Sequence, residues 1–113
     1  MSWQPYDSGK TIGTTGSEGG VIQKDDEYDG SARITLEEGC LRAPYAINCA
    51  VYGFLYVHTR FLADDETALY AMDEMKSVLA NIVNMVPDED DVDMDTKLVA
   101  VAQAADEFVR RFP

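Results

Sequence analysis

The chain has 113 residues, with 21 acidic against 9 basic side chains, one histidine, two cysteines and a formal net charge of −12. That length suits one core, so residues 1–113 are read as a single domain, and an apolar content of 46% is too high for a disordered chain. The charge argues against nucleic acid or an anionic membrane as a partner, and no apolar run approaches the ~18 residues of a membrane span.

The opening Met1-Ser2-Trp3-Gln4-Pro5 lacks the basic-then-apolar pattern of a secretory leader. The expectation is a cytoplasmic protein with Cys40 and Cys49 as reduced thiols. Residues 1–20 hold five of the eight glycines, with Ser and Thr filling the gaps. No helical or strand period survives there, which predicts an irregular N-terminal arm whose start is pinned by Trp3, Pro5 and Tyr6. Gly9-Lys10-Thr11 matches only the tail of a phosphate-binding loop. The position five residues before Gly9 is Gln4 rather than glycine, and no strand precedes it.

Residues 21–62 are read as the β part. Val21 to Leu36 predicts two strands about Asp29-Gly30, a pair suited to a tight turn with positive φ. A two-residue turn sets Asp26 opposite Arg33, but it also puts Asp25 and Glu27 on the face of Ala32, Ile34 and Leu36. A longer loop is the alternative. From Tyr45 to Phe61 the odd positions are nearly all apolar and the even ones amphipathic and aromatic, a period of two that marks β structure. The parity does not reverse at Gly53, which predicts one long strand near 45–61, bent or bulged at that glycine. A hairpin with an odd-length loop is the alternative.

Residues 63–113 are the helical part. Leu69, Met72, Met75, Leu79, Ile82, Val83 and Val86 form one stripe over 64–86, started by Asp64 or Asp65 and stopped by Pro87. A second helix over 95–111 carries Leu98, Val101, Ala102, Ala105, Phe108, Val109 and Phe112. Strands followed by helices indicate an α+β fold. The sheet is antiparallel with about three to five strands, and the two C-terminal helices pack on one face.

The charge is uneven: residues 1–62 carry 8 acids and 5 bases, residues 63–113 carry 13 and 4. Any electrostatic role therefore belongs to the helical part. Asp88, Glu89, Asp90, Asp91 and Asp93 form the densest run. Counted from Asp91 it begins like a calcium loop, but Thr96 stands at the position of the turn glycine and Ala102 at that of the bidentate glutamate. The run reads as a solvated acidic loop whose last carboxylates cap the second helix, and no metal or cofactor is expected.

His58 stands alone, between Tyr56 and Arg60, where it could act as a general base or contact an anion in a cavity between sheet and helices. No acid partner is recognisable, and neither Gly-x-Ser-x-Gly nor His-Glu-x-x-His occurs. The aromatic row Tyr52, Phe54 and Tyr56 is expected on the sheet face away from the helices, where a second copy would cover it as a homodimer. In size, acidity and order of elements the chain resembles small bacterial inhibitor or immunity proteins. The acidic half predicts a non-enzymatic domain that binds a basic protein surface through Asp88, Glu89, Asp90, Asp91 and Asp93. The alternative is a small ligand-binding or enzymatic domain using Tyr56, His58 and Arg60.

Overall fold

The computed structural model describes residues 2–52, 56–88 and 90–113, and of Tyr56 and Val57 the backbone only. Five strands form one antiparallel sheet whose spatial order is the chain order: β1 (Trp3–Pro5), β2 (Val21–Tyr28), β3 (Ala32–Glu38), β4 (Tyr45–Val51) and β5 (Tyr56–Leu62). Two helices follow, α1 (Asp65–Met85) and α2 (Met94–Arg111). The α+β class, the antiparallel sheet and the two helices packed on one face are as the sequence predicts. Among the described residues no helix is long and apolar enough to cross a membrane.

The β2–β3 turn spans three residues, Asp29 to Ser31, with Asp29 and Gly30 both at positive φ. The extra residue corrects the tight-turn register: Arg33 faces Glu27 and Asp26 faces Ile34. Asp25 and Glu27 therefore leave the apolar face, which removes the conflict that the two-residue turn created. A bulge between Ile22 and Lys24 shifts the parity again near the start of β2, so Ile22 pairs with Glu37.

The long strand near 45–61 is also corrected. Tyr45–Val51 and Tyr56–Leu62 are two strands that pair with Val51 opposite Tyr56 and Cys49 opposite His58. Four residues separate Val51 from Tyr56, and an even-numbered connection reverses the parity. His58, Arg60 and Leu62 thus share the face of Ile47, Cys49 and Val51, while Thr59 and Phe61 take the opposite one. Gly53, the expected bend, lies outside the described residues.

One face of the sheet carries Ala32, Ile34, Leu36, Ile47, Cys49 and Val51. It clusters with Ala68, Ala71, Met72, Met75, Leu79 and Ile82 of α1, and with Val101, Phe108 and Phe112 of the second helix and its end. The stripe of α1 is centred on Ala68, Met72, Met75 and Leu79. Leu69, read as part of it, is exposed. Small Ala68 and Ala71 let the helix approach β3 and β4 closely. Asp64 caps α1 by accepting the Thr67 N–H at 2.8 Å. Val86 takes extended geometry before Pro87 and ends it.

The N-terminal segment, expected to be irregular, contributes strand β1, whose Trp3 turns to the helix face and stacks on the core residue Tyr28 with ring centroids 5.2 Å apart. Beyond β1 the arm lies over the other face, where the Arg33 guanidinium sits 3.7 Å from the centre of the Tyr6 ring. Asp7, Ser8 and Gly9 all take positive φ, a left-handed turn that only anchored ends hold.

Candidate functional site

The acidic helical layer is built by subtraction. Residues 63–113 contain four bases, Lys76, Lys97, Arg110 and Arg111. Three of them are engaged: Lys76 with Asp26 of β2, Lys97 with Asp91, and Arg111 with Glu74. Exposed carboxylates with no salt bridge among the described residues remain on α1 (Asp65, Glu66, Asp73), in the connecting loop (Asp88, Asp90, Asp93) and on α2 (Asp95, Asp106, Glu107).

Of the five acids expected to bind a partner, Asp88, Asp90 and Asp93 are exposed. Asp91 is turned to internal work, accepting the Asp93 N–H at 3.0 Å and pairing with Lys97. That pairing, by its hydrogen bond with Lys97, holds the Asp91 carboxyl below its ordinary value. Glu89 lies outside the described residues. Asp93 occupies the N-cap of α2 but makes no side-chain capping bond, so the expected cap is replaced by the Asp91 contact. Among the described residues no group of three or more His, Cys, Asp or Glu is placed to hold a metal ion.

His58 is brought to the end of α2 rather than to an acid. Its Nε2 donates to the Phe112 carbonyl, and its ring meets Phe108 edge-on at 6.0 Å. Arg60 stands 5.5 Å from the Phe112 ring. Both side chains therefore fasten the chain end to β5. The Tyr56 side chain, third member of that expected group, lies outside the described residues. So does Phe54 of the aromatic row. Tyr52 is described, partly exposed, with its hydroxyl donating to Glu27 at 2.9 Å. Burial and that carboxylate push its phenol well above the ordinary value.

The residues that sequence reasoning missed lie beneath the arm. Asp25 is 2% exposed and Glu37 is fully buried. Asp25 takes a two-pronged bond from Arg33, Nε at 2.9 Å and Nη2 at 2.6 Å, plus the Thr11 hydroxyl at 2.7 Å. The hydrogen bond to Asp25 raises Arg33 above its ordinary value. Among the described residues Glu37 has no paired cation. Its Oε1 accepts the Glu18 and Gly20 N–H groups, each at 3.1 Å, and its Oε2 accepts Asn48 Nδ2 at 2.6 Å.

Asn48 is oriented in turn by Thr59, whose hydroxyl donates to Oδ1 at 2.7 Å. Gly16 lies so close to Glu37 that a Cβ there would overlap its carboxyl group. The available signal was the alternation Arg33-Thr35-Glu37 inside an otherwise apolar strand, together with Gly16, Gly19 and Gly20 in a segment that must pass close to it.

Burial pushes Cys49 up to about 12 and also raises Cys40, to which Glu37 and Glu18 add. No family model matches the chain, and no curated protein or solved structure matches it.

Proposed function

We propose that the chain is a non-enzymatic, inhibitor-like binding module that docks a basic protein surface on its acidic helical layer. The observation that supports it is the fate of the cations: Lys76, Lys97 and Arg111 are bound internally, which leaves the exposed carboxylates uncompensated. Such a layer accelerates encounter with a basic partner and weakens with salt. Tyr70, Val92 and Val99, exposed among the acids, supply apolar area that a partner can desolvate. His58, committed to Phe112 and Phe108, offers the alternative ligand-binding reading no comparable support.

The proposal places the protein in the cytoplasm, supported by two free thiols. It includes a homodimer, supported by the seven-residue β5, which carries no proline or lysine and whose outer edge is unpaired among the described residues.

Affinity capture from native extract at low salt, eluted by a salt gradient, tests the main reading. The triple variant Asp88→Asn, Asp90→Asn and Asp93→Asn should lose the captured protein, and the double variant Asp106→Asn and Glu107→Gln should lose less. Capture indifferent to both salt and the triple variant would end the reading. Sedimentation at tens of micromolar giving only a 12.5 kDa species would remove the dimer.

A further inference from the structure

Between Thr15–Ser17 of the arm and strands β3 and β4 lies a cavity of about 310 Å³. Two residues of its floor, Thr35 and Asn48, belong to one row across the sheet, in which Asp25 pairs with Thr35, Thr35 with Asn48 and Asn48 with Thr59. Three members of that row are satisfied: Asp25 by Arg33 and Thr11, Asn48 by Glu37 and Thr59, and Thr59 by Asn48. The fourth is not. Thr35 is 9% exposed, lines the cavity, and has no side-chain hydrogen bond among the described residues. A buried hydroxyl without a partner is disfavoured and marks a place where a bound molecule completes the set.

We propose that this cavity binds a small, neutral, polyhydroxylated molecule of sugar or sugar-alcohol size, with the Thr35 hydroxyl at its centre. Its hydroxyls both donate and accept, as do those of Thr35, Thr15 and Ser17 around it. The charges near it are already committed: Arg33, one-third exposed, is paired with Asp25, and Glu37 accepts bonds from Glu18, Gly20 and Asn48. An ionic ligand therefore loses its hydration without gaining a free counter-charge, a loss a neutral ligand does not incur. Ile22 and Ala50 offer apolar surface to the carbon skeleton. This site lies on the sheet face opposite the helices and is independent of the acidic layer.

Three six-carbon probes of matched length make the test: sorbitol (neutral), gluconate (anionic) and glucamine (cationic), with glucose as a ring form. They are titrated into the isotope-labelled full chain and followed by backbone amide shifts. Sorbitol or glucose should give saturable shifts confined to residues 15–17, 35 and 48–50, with a millimolar Kd, and the charged probes should bind at least threefold more weakly, about the scale of one misplaced charge near the surface. Thr35→Val should weaken sorbitol about fivefold, the worth of one neutral hydrogen bond, with the melting temperature unchanged or raised. Ala50→Leu, which fills the cavity without touching the hydroxyl, should weaken it too. Absence of saturable shifts with both neutral probes at about 100 mM, a concentration far above any useful affinity, would overturn the proposal. Equal or tighter binding of either charged probe, or a Thr35→Val chain that melts well below the parent, would overturn it as well.

Discussion

On the helix side of the sheet, Ile34, Leu36 and Ile47 are buried with Met72, Met75 and Leu79 in one apolar cluster. On the arm side, Asp25 and Glu37 are buried as completely, beneath a segment made mostly of Gly, Ser and Thr. The first face is closed by area removed from water, a non-directional force that tolerates substitution of similar volume. The second is closed by directed bonds to carboxylates that must have them, so a small change leaves a charge or a backbone N–H unmet. Helix-side defects should therefore weaken the whole fold. Arm-side defects should weaken the arm first.

The largest effect is expected from Phe108→Ala, which leaves a cavity between α2 and the sheet and should cost about 3–5 kcal/mol in urea unfolding. Arg33→Met comes next, at about 3 kcal/mol, because Asp25 keeps only the Thr11 bond and stays buried with its charge. A loss as small as that of a surface substitution would show that the arm side is not held by this pair.

Glu37→Ala should cost about 1–3 kcal/mol globally. It should expose the arm locally, seen as faster amide exchange over residues 13–20 and new tryptic cleavage after Lys10, with α1 still protected. Uniform acceleration across α1 and the arm would break the distinction between the two faces.

The smallest effect concerns acid. Asp64 is held below the ordinary carboxylate value by its bonds to Thr67, and Asp91 by its bond to Lys97. Each folded value lies below the unfolded one, so the stability they add is complete above about pH 4 and is lost as the pH falls through the folded values. Thermal melts from neutral to acid pH should show a drop of a few degrees. In Asp64→Ser, which keeps a cap without the charge, the drop should be smaller.

The helices were legible because their apolar stripes recur at a period of 3.6, and Asp64 and Pro87 punctuate α1 within two residues of its ends. The β4–β5 reversal was not, because β5 edges the sheet and both its faces mix apolar and polar residues. Leu62 is buried on one side and Phe61 half-exposed on the other, so alternation alone cannot assign a face. The acidic run was visible as composition, but which acids stay free depended on where Lys97 reaches, a matter of tertiary placement. The buried row beneath the arm was hidden for a related reason. Asp25, Thr35, Asn48 and Thr59 are spread over thirty-five positions and become one line only through the register of three strand pairs.

The strand order, which simply follows the chain, bears on how the molecule assembles. Every strand pair joins sequence neighbours, and from β2 to β5 the connections span only three, six and four residues and close at modest entropic cost; the β1–β2 connection, at fifteen, is the long one. On the polar face the arm's anchors Asp25, Arg33 and Glu37 are all in place by position 37, whereas Trp3, on the other face, also meets Lys76 of α1. The polar side of the sheet can therefore be organised on a nascent chain before α1 has been synthesised. The apolar side stays open to water until Ala68 to Ile82 arrive. The five-stranded sheet leaves its apolar face in water without that cover, so α1 docking is the step expected to commit the fold.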